Sequence, residues 1–189
     1  MGYCLEELQK SYVAGKKFKF LFFWGNTPSP DGRITEACLS QWWQCRFQDH
    51  GIEYSCAEQF MMAEKARLFG DRDMLNKIME ASHPKEMKAY GRAVRGFDRE
   101  VWDSSCYEIV KRGNRAKFSQ NPELFHFLIN TGKRILVEAS PRDRIWGIGM
   151  ARSNPDAKNP LKWKGTNLLG FALTEVRDGF ANKDIGETE

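Results

Sequence analysis

The stretch Glu53–Asp71, E-Y-S-C-A-E-Q-F-M-M-A-E-K-A-R-L-F-G-D, has the marks of one helix with defined ends. Ser55 followed by Glu58 has capping-box spacing, and Gly70 supplies a stop. At about 100° per residue, Met61, Met62, Ala66, Leu68 and Phe69 fall on one side, with Glu58 and Lys65 at its centre. Glu64 and Arg67 fall elsewhere, as solvent-facing charges should. A core-facing stripe that carries a carboxylate and an amine is costly unless both are satisfied or used. Seven residues separate the two, roughly 10 Å along the axis at 1.5 Å per residue. Two long side chains at that spacing can converge on a ligand. Two plain alternatives stand beside this: Glu58 as the capping partner of Ser55, and Lys65 as a lysine that snorkels to the surface.

The chain around this helix is 189 residues long, enough for one domain with a real core. Charged residues make up 29% and the net charge is +4, which suits a phosphate-bearing ligand but is weak support for nucleic acid. Five cysteines without C-x-x-C spacing argue for reduced thiols rather than a disulfide framework. His50, His83 and His126 are scattered, so neither a metal nor a cofactor is expected. No apolar run approaches the roughly 18 residues of a membrane span, and no secretory leader is visible. The expected location is cytoplasmic, with the nucleus open.

Residues 1–17 read as an irregular or short helical lead, 18–24 as a buried strand, and 25–32 as a loop. Cys38–Phe47 and Ile52–Tyr54 read as a hairpin. Helices are expected from Asp71 to about Ala81, from Pro84 to about Val94, from Asp98 through about Phe118, and from Pro122 to near Gly132. A strand over 134–139, a loop, and a last helix capped by Asn167 and ending near Phe180 complete the chain, with 181–189 a polar tail. The expectation is a helix-rich α+β class: a single domain over 18–180, with several helices around a small antiparallel sheet.

Further constellations carry possible chemistry. In E-A-S-P-R-D-R-I-W-G-I-G (138–149), Asp143 is a carboxylate, Trp146 a stacking face, and Gly147 and Gly149 allow close backbone approach. The lone G-I-G lacks a dinucleotide fingerprint. In W-K-G-T-N-L-L-G (163–170), a basic loop from Trp163 to Asn167 enters a helix N-terminus suited to an anion. Trp102 and Lys117 lie on one long helix. Phe23, Trp24 and Gly25 end a strand and offer a stacking wall. Core packing is the competing reading for each aromatic.

F-F-W-G at 22–25, E-Y-S-C-A-E-Q-F-M-M-A-E-K-A at 53–66, F-G-D at 69–71, G-R-x-V-x-x-F-D-x-x-x-W at 91–102, K-F-S-Q-N at 117–121, and the two motifs at 136–149 and 163–170 occur in order. Together they resemble the NADAR, or YbiA-like, family over roughly residues 20–178. The resemblance implies an N-glycosidase acting on ribosyl–nitrogen bonds. Its substrate would be ADP-ribose on guanine of nucleic acid, or a phosphoribosyl-aminopyrimidine intermediate of riboflavin synthesis. It also implies Glu58, Lys65 and the Asp143/Trp146/Gly147 loop as site positions. Expected partners are an ADP-ribose or ribosyl-phosphate ligand and ADP-ribosylated single-stranded DNA or RNA, met by a monomer away from membranes. A non-catalytic ADP-ribose or nucleic-acid binding module is the rival. Chemically, Glu58 and Asp143 would supply two carboxylates, and a desolvated Lys65 would attack the sugar's C1.

Overall fold

A computed structural model describes residues 2–183 of the chain. In chain order it contains α1 (Leu5–Val13), β1 (Phe20–Phe23), β2 (Phe47–Asp49), β3 (Ile52–Tyr54), α2 (Ala57–Leu68), α3 (Arg72–Glu80) and α4 (Pro84–Arg92). Then follow α5 (Arg99–Ser119), α6 (Pro122–Ile129), β4 (Ile135–Glu138) and α7 (Leu168–Lys183). The class is helix-rich α+β, as the residue pattern implies. The strands differ in detail: they form two ribbons, β2–β3 antiparallel and β1–β4 parallel. Cys38, expected in a hairpin arm, sits in a short 3-10 turn over Glu36–Leu39. The last helix runs on past Phe180, and the part of the expected tail from 184 onward lies outside the described residues.

The chain forms two compact units: residues up to Ser40 with those from Glu123 onward, and Gln41–Pro122. In the Gln41–Pro122 unit, α2 is the central element. Its residues Ala57–Ala63 are all buried, so the one-sided stripe expected from the wheel is absent there. Leu68, placed by that wheel on the core side, is 39% exposed. Glu64 and Arg67, expected in solvent, join a network instead. Arg67 binds Glu64 at 2.6 Å and the Tyr54 hydroxyl at 2.9 Å, and Arg112 of α5 binds both Glu64 and Asp49.

Two glycines let neighbouring helices close on α2. A Cβ at Gly91 of α4 would meet Met62 Sδ at 2.0 Å, and one at Gly113 of α5 would meet Phe60 Cδ1 at 2.5 Å. Phe60 cannot retreat easily, because Tyr54 packs edge-on at 5.1 Å and Phe47 lies 6.1 Å away. Asp71 caps α3 through the Met74 N–H, and the Arg95 guanidinium at 2.8 Å holds its carboxyl well below the usual carboxylate range. Asp98 caps α5 through the Val101 N–H.

In the other unit, β1 and β4 pair in register from Phe20↔Ile135 to Phe23↔Glu138. Helix α7 packs on β4 so tightly that a Cβ at Gly170 would lie 2.1 Å from the Leu136 carbonyl. Ile135, Leu136 and Val137 are buried.

Gly113→Ala tests the closeness of α5 and α2. Overpacking against Phe60 outweighs the roughly 1 kcal/mol helix-propensity gain of alanine, leaving a net loss of about 1–2 kcal/mol. Urea denaturation of the variant beside wild type measures it, and a gain in stability would show that Phe60 yields freely.

Candidate active site

Glu58 enters α2 in its first turn and is 5% exposed. The expected Ser55–Glu58 capping box does not form. The N-cap residue is Cys56, without a side-chain cap, and the Glu58 N–H donates to the Gln41 carbonyl at 2.9 Å. It is Gln59 that reaches back: its Oε1 accepts from the Ser55 N–H at 2.8 Å and from its hydroxyl at 3.1 Å. Glu58 is therefore not spent on the capping role that offered its plainest explanation.

Gln41 links Glu58's backbone to α5, since its Oε1 accepts from Asn114 Nδ2 at 2.9 Å. Asn114 is fully buried, and its Oδ1 has no partner among the described residues. A buried carbonyl oxygen without a donor is a costly acceptor. Lys117, also fully buried, lies three residues further along the same helix. Nothing local in the sequence marks Gln41 or Asn114, because their significance comes from pairing across 73 positions.

Two turns on from Glu58, Lys65 is half-buried. Its Nζ lies 4.2 Å from the centroid of the Phe97 ring and 5.4 Å from that of Trp102. The pairing of Lys65 with Trp102 unites two residues singled out separately by their motifs. Phe97 was the missed member, although it stands in the F-D-x-x-x-W motif. Burial pushes the Lys65 amine below its ordinary range, and the Arg92 charge pushes it the same way. The aromatic faces act the other way, favouring the ammonium form by about 0.5–1 kcal/mol at a partly exposed site. No carboxylate among the described residues pairs with this amine.

The second set of candidates lies in the unit that contains β1 and β4. Parallel pairing sends Trp24 and Gly25 out of the same ribbon edge as the loop that follows Glu138. Trp24 is 62% exposed, and Gly25, at φ +83°, has open space where a Cβ would stand. Trp146 is half-exposed and stacks on no ring among the described residues. Asp143 organises this loop: its Oδ1 accepts from the N–H groups of Ile145 at 2.9 Å and Trp146 at 2.8 Å.

Several expected ligand positions are structural. Phe23 is 1% exposed and belongs to the core rather than to a stacking wall. Trp163 is buried, donates its indole N–H to the Ala157 carbonyl at 2.7 Å, and packs edge-on against Phe20. Asn167 does not cap α7 with its side chain. Its buried amide bridges the Glu138 N–H at 2.9 Å and the Leu136 carbonyl at 3.0 Å, and its own φ is +56°.

The expected anion site at the α7 N-terminus is filled by the protein itself. The N–H groups of Thr166, Asn167, Leu168 and Leu169 donate to the carbonyls of Arg144, Gly147, Ile145 and Trp146. Gly147 and Gly149 serve this docking rather than ligand approach. A Cβ at Gly147 would meet the Glu138 carbonyl at 2.8 Å, and Gly149 has φ +66° with Lys164 packed against it.

A buried acid and a partly desolvated lysine thus stand on one helix of a helix-rich α+β domain. A family model described as the NADAR domain matches residues 22–181, and the chain belongs to the NADAR family. The protein named N-glycosidase R617 from Acanthamoeba polyphaga mimivirus is 43% identical over 165 residues, 85% of this chain and 95% of that protein. A chloroplastic riboflavin biosynthesis protein PYRR of Zea mays is 32% identical over 127 residues, 62% of this chain but 19% of that protein. The NMR structure of the Escherichia coli protein YbiA shares the fold, with a TM-score of 0.73 at 24% identity over 92% of each chain. Among the described residues no group of three or more His, Cys, Asp or Glu could hold a metal ion, and no helix is long and apolar enough to cross a membrane.

Asp143 separates a holding role from a chemical one. Asp143→Ala removes the acceptor of two backbone N–H groups and should cost about 1–3 kcal/mol. Asp143→Asn keeps an acceptor oxygen and should recover most of that in thermal denaturation. An Asp143→Asn protein of normal stability but without turnover would assign the negative charge to the chemistry.

Proposed function

We propose that the protein is an N-glycosidase that removes ADP-ribose from guanine bases of nucleic acid. The observation that carries the reading is the pairing on α2 of buried Glu58 with a half-buried Lys65 whose amine is held below its ordinary pKa. Seven residues amount to nearly two helical turns, so both side chains leave one face roughly 10 Å apart along the axis. A binding module needs neither a buried acid nor an amine poised to lose its proton. The name N-glycosidase, carried by a relative 43% identical to this chain, supports the same class of bond.

In this reading the neutral Lys65 amine attacks C1 of the ribose. The new bond is C1–Nζ and the bond that breaks is the one from C1 to the base nitrogen. Its electron pair leaves with the base, which takes up a proton passed by Glu58. The adduct returns a proton to Glu58, the C1–O4 ring bond opens with its electron pair and a proton going to O4, and water hydrolyses the resulting Schiff base, freeing the sugar and regenerating the amine. Phe97 and Trp102 flank the amine, with ring centroids 4.2 and 5.4 Å from Nζ.

The alternative substrate is a phosphoribosyl-aminopyrimidine intermediate of riboflavin synthesis, favoured by the likeness to the maize protein. Incubation with ADP-ribosylated single-stranded DNA and, separately, with that intermediate decides between them. Release of ADP-ribose from the DNA alone is the expected result. Turnover of the pyrimidine alone would reverse the assignment, and turnover of neither would leave a binding module.

Two variants test the lysine. Lys65→Arg keeps a positive charge but cannot form a neutral amine, so turnover should fall by about a hundredfold or more while ligand affinity persists. Borohydride added during wild-type turnover should trap a sugar on Lys65, located by mass spectrometry. Near-normal Lys65→Arg turnover would eliminate the amine nucleophile.

The second variant reads pH. Because the Lys65 pKa is depressed, the neutral fraction and hence kcat/KM should rise with pH below the ordinary lysine range. Arg92 contributes to that depression, and Arg92→Gln should move the rising limb to higher pH. An unshifted limb would show that another group controls it.

A further inference from the structure

A cavity of about 710 Å³ opens beside β1, among residues that the proposed reaction does not use. Three of its lining side chains are Phe18, Phe20 and Phe22. Alternate residues of an extended strand face one side, so the three rings form a ladder, with centroids 6.3 and 5.9 Å apart. All three are only partly buried. Phe23 points the other way, into the core.

Five cations line the same cavity: Lys16, Lys17, Lys19, Arg134 and Lys158. No acidic residue lines it, and among the described residues none of the five pairs with a carboxylate. The Arg134 guanidinium is steadied by the Thr131 and Asn130 carbonyls, which leave its charge unneutralised. Lys16 Nζ lies 5.4 Å from the Phe18 ring centroid, so charge and aromatic face meet at one point. Solvated lysines alone would be unremarkable surface. Five unneutralised cations around a concave wall of π faces are not, since the cations repel one another until an anion enters.

We propose that this cavity is a docking groove for single-stranded nucleic acid, with bases stacked on the Phe18–Phe22 ladder and phosphates held by the surrounding lysines and arginine. Stacking on aromatic side chains needs exposed base faces, which a duplex withholds. Five cations exceed what a single phosphate group requires, and they flank the ladder as a continuous strand demands. The inference goes beyond the chemistry at Lys65 and does not depend on it, because it concerns unmodified strands.

The test is fluorescence anisotropy with a labelled, unmodified oligothymidylate, competed by AMP and by inorganic pyrophosphate. Wild-type protein should bind, with affinity falling as salt rises at a log–log slope of about −0.7 per phosphate contacted. Phe18→Ala should weaken binding roughly tenfold, within the range of one base–aromatic stack. Lys16→Ala combined with Lys17→Ala should weaken it at least as much and flatten the salt slope. Phe18→Leu, which keeps apolar volume without a π face, separates stacking from folding. Circular dichroism checks that each variant is folded, and turnover of a ribosylated mononucleotide should match wild type. Absence of oligonucleotide binding, binding indifferent to Phe18 and the two lysines, or competition by AMP or pyrophosphate as effective as by the unlabelled strand would overturn the proposal.

Discussion

The burial of seven consecutive residues, Ala57–Ala63, dictates most of what surrounds α2. A stretch of helix hidden on every side cannot sort its polar residues to water, so each polar group in it must find a partner inside the protein. Gln59 shows the consequence. Its Nε2 donates to the Ile78 and Met79 carbonyls near the end of α3, while its Oε1 receives Ser55. One amide therefore fixes the entry to α2 and the exit of α3. The same enclosure takes in the first-turn carboxylate of Glu58, which is 5% exposed. The glycines at 91 and 113 are the steric counterpart, since no side chain fits where α4 and α5 approach Met62 and Phe60.

In the unit containing β1 and β4, the corresponding constraint is Asn167. Its left-handed backbone and its buried amide join the start of α7 to β4, and neighbouring N–H groups dock on the 144–147 carbonyls. A loop that looks built to admit a ligand's phosphate is thereby closed on itself. What it leaves outward is Trp146, with Trp24 and Gly25 beyond the adjoining strand end.

Periodicity and caps revealed the helices well. Asp71, Asp98, Pro84 and Pro122 each begin a helix because capping and proline geometry act over a few residues. The helix wheel failed over Ala57–Ala63 of α2 because a fully enclosed stretch has no wet face to set its pattern. Strand pairing was also out of reach: a parallel ribbon between Phe20 and Ile135 leaves no local signature. In the candidate site, Lys65 and Trp102 stood out in their own motifs, whereas Gln41 and Asn114 acquire meaning only from a contact between distant segments. Trp163, Phe23 and Asn167 misled for one reason. Aromatic and amide side chains suit either a ligand or a core, and only burial distinguishes them.

The parallel β1–β4 ribbon also bears on how the chain is made. β1 emerges during synthesis well before β4, and the whole Gln41–Pro122 unit must be made between them. Helices α2 to α5 pack through contacts inside one continuous segment, which favours rapid closure. The ribbon closes a far longer loop and must wait for its second strand. Until then Phe20–Phe23 is an apolar strand with both edges unpaired, a form prone to joining other chains. Lys16, Lys17 and Lys19 precede or interrupt that aromatic run, and their charge repels like copies of it. The same lysines that line the finished cavity thus serve as gatekeepers for the nascent chain.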